Sequence, residues 1–216
     1  MKNPLFITLF SLPFFADSVL NLFWSRHKNL TKALLLPLLL LFALLCGKPS
    51  VFLLIALIFC FFGDVLLEVP GDKFFTLGGI SFIFGHIFLM LVFAPREFPP
   101  QSKIYALIPF LLLYLGTSVF VIKLIAPDTP RKMRPPMLLY LCANSFMNVF
   151  AALNLITSPS VSSAVSYSGA VFFFISDCTL FIVRNYKGGK RFKSFFFCML
   201  TYILGVFLIT LGTAVL

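Results

Sequence analysis

Residues 61–93 read FFGDVLLEVPGDKFFTLGGISFIFGHIFLMLVF. Two apolar segments flank a short polar turn, and each carries an ionisable residue, Asp64 in the first and His86 in the second. Ionisable side chains are costly in hydrocarbon, so inside a membrane helix they mark a candidate site by default. The same setting recurs at residues 172–184, FFFISDCTLFIVR, around Asp177.

The rest of the chain makes hydrocarbon the relevant solvent. Of its 216 residues 60% are hydrophobic and 11% charged, and the mean hydropathy is +1.04. Soluble domains do not have this composition. Apolar runs of roughly 17 to 25 residues recur along the length, each long enough to cross a bilayer as a helix. They are solidly apolar rather than alternating, which predicts an all-α transmembrane bundle and argues against a β-barrel. Eight spans are expected in a single transmembrane domain, 1–216, at about residues 4–23, 32–46, 50–67, 74–93, 103–123, 137–156, 161–184 and 192–216. Pro37 is expected in the first turns of the second span, where a missing N–H is best tolerated.

The net charge of +10 does not point to nucleic acid, because the basic residues sit at helix ends and in short loops. That pattern follows the positive-inside bias and favours contact with anionic lipid headgroups. Thirteen of the 17 Lys and Arg residues fall on one side of the expected topology. That side is assigned to the cytoplasm, in the cell membrane if the source is bacterial, and both termini to the opposite side. Asp64 and Asp177 then lie near the cytoplasmic ends of inward-running helices. Tyr140, Asn144, Tyr202 and His86 enter from the same side on outgoing ones, so the polar residues are expected to converge on one cavity.

Each polar residue also has a plainer reading. Asp64 could be an end-of-helix carboxylate paired with Lys73, and Asp177 lies two turns from Arg184, a spacing that suits a salt bridge. His86 could bond a neighbouring helix. Tyr140, Asn144 and Asn148 share one helical face by their spacing, and either line the cavity or tie helices together. Asp17 reads as structural. The five cysteines, Cys46, Cys60, Cys142, Cys178 and Cys198, stand in apolar runs without paired spacing and read as small apolar residues. With two histidines, one of them in a basic loop, no metal site and no cofactor is expected. A short echo between FFGDVLLEV and FISDCTLFIV suggests two parallel four-helix halves that bring Asp64 and Asp177 face to face.

This ordered set of residues resembles the lysoplasmalogenase, or YhhN-type, family of integral membrane proteins. The matching positions are Lys32, Gly63-Asp64, His86 after a glycine-containing stretch, Gly169-Ala170, Ser176-Asp177 and Tyr202. Three positions depart from the family pattern: Ala33 stands where a proline usually follows the lysine, Leu89 replaces a tyrosine, and Val206 a polar residue. The resemblance implies hydrolysis of the vinyl-ether bond of lysoplasmalogens to a fatty aldehyde and a glycerophospho-ethanolamine or -choline. Protonation of the alkenyl carbon followed by attack of water needs an acid and an anion together. Asp64 and Asp177 would supply them, with His86 orienting a carboxylate or the water. Lys32 and Lys73 would hold the substrate phosphate, and Tyr140, Asn144, Ser176 and Tyr202 would line the lysolipid site. The alternative is a proton-coupled small transporter or lipid-binding membrane protein that uses the same aspartates.

Overall fold

A computed structural model of the chain describes residues 11–19, 28–95, 97, 99–186 and 195–216; the side chains of 28–32 and 195 lie outside that description. The described residues are helical, with turns between: α1 (11–19), α2 (Lys28–Cys46), α3 (Val51–Glu68), α4 (Asp72–Phe93), α5 (Gln101–Tyr105), α6 (Ile108–Ile125), α7 (Arg134–Thr157), α8 (Val161–Asn185) and α9 (Phe195–Thr210). Six stretches are long and apolar enough to cross a membrane: Val51–Glu68, Asp72–Phe93, Gln101–Asp128, Arg131–Thr157, Val161–Asn185 and Phe196–Val215. A seventh apolar helix, Ala33–Cys46, is shorter. The expected first span, 4–23, is described only over 11–19, and the start of the last, 192–194, lies outside the described residues, as do Arg26 and His27.

Local signals explain the boundaries. Ser50 caps α3 by accepting from the Leu53 N–H at 3.2 Å. Gly71, with φ of 124°, makes the reversal into α4 in a conformation that side chains disfavour. Ser160 and Ser163 form a reciprocal capping box at the start of α8. One expectation needs correction. Pro37 lies in the interior of α2, because the helix begins at Lys28 and not at residue 32. The fifth span falls within the apolar stretch Gln101–Asp128, where a turn at residues 106–107 joins α5 to α6 ahead of Pro109.

Two antiparallel pairs are packed most closely, α3 with α4 and α8 with α9. In the second pair the backbones themselves touch: a Cβ on Gly169 would stand 2.5 Å from Ile209 N, and one on Gly205 would stand 2.8 Å from Phe173 N. Small residues at such crossings are how membrane helices gain close van der Waals packing without a hydrophobic driving force. In the first pair Gly63 leaves room for the Phe82 ring, which a Cβ would meet at 2.5 Å. The pairs are joined by α7, which packs against both α4 and α8, and rings from several helices fill the centre. Phe82 packs edge-on against Tyr140, Phe173 and Tyr202 at centroid distances of 6.3–6.4 Å. On the outer side, α6 is tied in by Tyr114–Tyr167 and Ser118–Ser145 hydroxyl contacts, both 2.9 Å. The perimeter exposes Leu41, Phe52, Phe62, Leu112, Phe120 and many similar side chains, an apolar surface suited to lipid.

Candidate active site

Asp64 lies one turn from the end of α3 and is 3% exposed. The Tyr202 hydroxyl on α9 donates to its Oδ2 at 2.6 Å, across 138 residues of sequence. Asp177 on α8 is buried to the same degree, and its Oδ2 accepts from the Asn144 side-chain amide of α7 at 2.6 Å. One turn further along α7, Asn148 donates to Asn144 Oδ1 at 2.9 Å, which fixes the amide so that its NH2 faces the carboxylate. Tyr140, on the same face, packs its ring edge-on against His86 at 5.4 Å.

Of the expected face of Tyr140, Asn144 and Asn148, Asn144 reaches Asp177 directly and Asn148 reaches it through Asn144.

His86 is fully buried on α4, held between the rings of Tyr140 and Phe173 at 5.4 and 5.1 Å. Its Nε2 lies 3.4 Å from Asp177 Oδ2, within ion-pair distance but misaligned for a hydrogen bond, and Nδ1 has no hydrogen-bond partner among the described residues. Both aspartates line one small cavity with Leu67, Phe82, Ser176, Leu180 and Tyr202. Its volume of about 30 Å³ accommodates roughly one water molecule.

The remaining expected residues are placed less directly. The Ser176 hydroxyl borders the cavity but donates to the Cys198 carbonyl at 2.9 Å, so it also fastens α8 to α9. Lys73 is exposed at the start of α4, and the Lys32 side chain lies outside the described residues. Asp17 is buried on α1 and does not border the cavity. Leu89 and Val206, two of the departures from the family pattern, are 3% and 2% exposed in the apolar core. Arg184, the ion-pair partner in the plainer reading of Asp177, places its guanidinium 3.8 Å from the centroid of Phe75, with Asp72 as its carboxylate neighbour. Sequence reading missed Phe82, which separates the cavity from a larger groove. The signal was Gly63, a residue with no side chain directly before the aspartate.

The model of the YhhN family matches residues 27–213. The chain belongs to the YhhN family. No curated protein and no solved structure gives a significant match. The YhhN match contains every side chain that borders the cavity, together with Asn144 and His86, and excludes α1 with Asp17. YhhN proteins are of the lysoplasmalogenase type, so an association with that hydrolase chemistry comes with membership. Among the described residues no three His, Cys, Asp or Glu side chains converge as metal ligands.

Proposed function

We propose that the protein is a membrane hydrolase that cleaves the vinyl-ether bond of lysoplasmalogens. The observation that carries this reading is the pair of buried carboxyl groups on one water-sized cavity, in a chain of the YhhN family. Their neighbours differ in kind. An amide N–H can only donate, so Asn144 makes Asp177 Oδ2 an acceptor and suits Asp177 to the anionic role. A phenol both donates and accepts, so the Tyr202 contact with Asp64 survives whether that carboxyl carries its proton or not.

Asp64 accordingly serves as the acid. It gives its proton to the alkenyl carbon β to the ether oxygen, and the carbon bonded to oxygen becomes an oxocarbenium ion. Asp177 stabilises this cation and takes a proton from the water that adds to it. In the hemiacetal that results, Asp177 returns its proton to the glycerol oxygen as the C–O bond breaks, and Asp64 recovers one from the hemiacetal hydroxyl. The products are a fatty aldehyde and a glycerophospho-ethanolamine or -choline, with both carboxyls back in their starting states. His86 keeps Asp177 in position and excludes bulk water from its side of the cavity.

The same reading takes the cytoplasmic half of the bilayer as the location of the cavity, eight spans as the full topology, and both termini as non-cytoplasmic. The crossed side-chain contacts, Tyr202 of α9 with Asp64 of α3 and His86 of α4 with Asp177 of α8, support two parallel halves related by a pseudo-two-fold axis. Fatty-aldehyde release by detergent-purified protein, with Asp64→Asn and Asp177→Asn alongside and a chelator present, tests the function. Release by the parent alone is expected. Normal release by both folded variants, or none by the folded parent with either headgroup, overturns it, and the second outcome directs attention to proton-coupled transport.

A further inference from the structure

The cavity is a small, partly open space beside a larger one. In front of it, between α4 and α7, lies a groove of about 200 Å³ lined by Phe75, Gly79, Ile83, Met137, Tyr140 and Phe181. Leu67, Phe82 and Leu180 belong to both spaces and form the wall between them. Tyr140 lines the groove and packs edge-on against His86, whose Nε2 faces Asp177. On its outer side the groove is bordered by Ile80 and Leu139, which are 45% and 61% exposed and so face the surrounding lipid.

One end of the groove carries a cation. Arg184 lies over Phe75, a groove residue. Asp177, Leu180, Phe181 and Arg184 follow one another at helical spacing along α8, so acid, wall, groove and guanidinium form a single stripe. Seven residues of helix put about 10 Å between the ends of that stripe. Helical side chains lean toward the N-terminus, which brings the guanidinium closer to Asp177 than its Cα lies. Arg has five N–H donors, so its neighbour Asp72 leaves donors for a phosphate.

Resting on the lysolipid reading above, we infer that this groove binds the single aliphatic chain of a lysophospholipid. The lipid enters sideways from the bilayer between α4 and α7, and Arg184 holds its phosphate. The groove is smaller than the roughly 300–1,000 Å³ of pockets that enclose whole ligands. It therefore takes the part of the chain next to the ether, and the remainder passes between Ile80 and Leu139 into the bilayer. Phe82 is the side chain that must turn for the ether to reach the carboxyls.

Gly79 is the position from which to fill the groove, because a Cβ there meets only a Tyr140 ring carbon, at 3.9 Å. Gly79→Trp should lower the ratio of long-chain to short-chain kcat/KM by about tenfold or more, and Ile83→Ala should raise it. Leu77→Trp, on the lipid-facing side of the same helix, is the control and leaves the ratio as in the parent. Arg184→Gln should weaken turnover of the phosphate-bearing substrate about tenfold relative to an uncharged alkenylglycerol. A readout independent of hydrolysis uses a non-cleavable alkyl-ether lysolipid with a diazirine in its chain. Photolabelling should concentrate on α4 and α7 within residues 75–83 and 133–140. Labelling spread evenly over the lipid-facing helices, or an unchanged chain-length ratio in folded Gly79→Trp and Ile83→Ala, overturns the groove assignment. Aldehyde release with dispersed labelling defeats the groove alone, whereas concentrated labelling without aldehyde release defeats the hydrolase alone.

Discussion

Replacing Asn144 with alanine tests whether Asp177 depends on its amide neighbour. The Asn144 side chain is fully buried and reaches Asp177 Oδ2 at 2.6 Å, at the short end for an N–H donor, and bonds to ionised acceptors are the shorter and stronger kind. Hydrogen bonds to charged groups contribute about 1.5–3 kcal/mol, which translates into a loss of roughly 10- to 150-fold in kcat/KM. Asn148 touches Asn144 and not the carboxylate, through a neutral bond of 2.9 Å. Its removal should cost about 0.5–1.5 kcal/mol, or roughly 2- to 13-fold. The losses should fall on kcat, since neither amide borders the groove that receives the chain. Initial rates of aldehyde release over a substrate series in defined micelles separate kcat from KM, with thermal unfolding of each variant confirming the fold. Equal damage from the two alanine variants, or a loss confined to KM, would refute the idea that the pair acts by fixing Asp177.

Further outcomes follow from the packing. Gly63→Ala puts a methyl against the Phe82 ring and should destabilise the protein by about 1–3 kcal/mol, with Phe82→Leu relieving it; thermal unfolding in detergent reads both. Gly169→Ala meets the α9 backbone and should disrupt assembly, whereas Gly116→Ala on α6 enters open space and should stabilise by up to about 1 kcal/mol; the folded yields on size exclusion and the unfolding midpoints distinguish them. Tyr202→Phe should lower kcat about 10- to 150-fold by removing the hydroxyl from Asp64. Tyr114→Phe removes a longer hydroxyl contact, 2.9 Å, at a residue that does not border the cavity, and should cost about 1 kcal/mol of stability with turnover retained.

The helices were legible because hydrocarbon imposes a strong pattern: apolar runs of sufficient length, ended by Ser50, Pro70-Gly71 and Ser160. The start of α2 was not, since the polar residues before Lys32 give no apolar signal although the helix continues through them. Asp64, Asp177, His86 and the Tyr140–Asn144–Asn148 face stood out because polar side chains are conspicuous in such surroundings. Which of them touch one another did not. That depends on how the helices rotate and cross, and on Phe82 and Phe173, which look like any other phenylalanine among the 30 in the chain. The side chain of Arg184 illustrates the limit well. Its spacing from Asp177 suits an intrahelical pair, yet the ring of Phe75 and the charge of Asp72 on the neighbouring helix draw it elsewhere.

Serine hydroxyls bond within each tightly packed pair, Ser81 to the Phe59 carbonyl and Ser176 to the Cys198 carbonyl, whereas the two aspartates find partners outside their own pair. Asp64 of α3 is held by Tyr202 of α9, while Asp177 of α8 faces His86 of α4. Glycine contacts such as Gly169–Gly205 can assemble each pair without any of these residues, through van der Waals packing alone. Between pairs, the rings of Phe82, Phe173 and Tyr140 make broad contacts that tolerate small rotations. A one-residue slip of a helix turns its side chains by about 100° and would carry Asp64 away from Tyr202 altogether. The buried hydrogen bonds therefore set the register in which the pairs meet, because a misaligned pairing leaves carboxyls unsatisfied in a low-dielectric interior. The groups assigned to catalysis are thus also those that select the assembled bundle, and Tyr202→Phe combined with Asp177→Asn should loosen the contact between pairs more than the sum of the single changes.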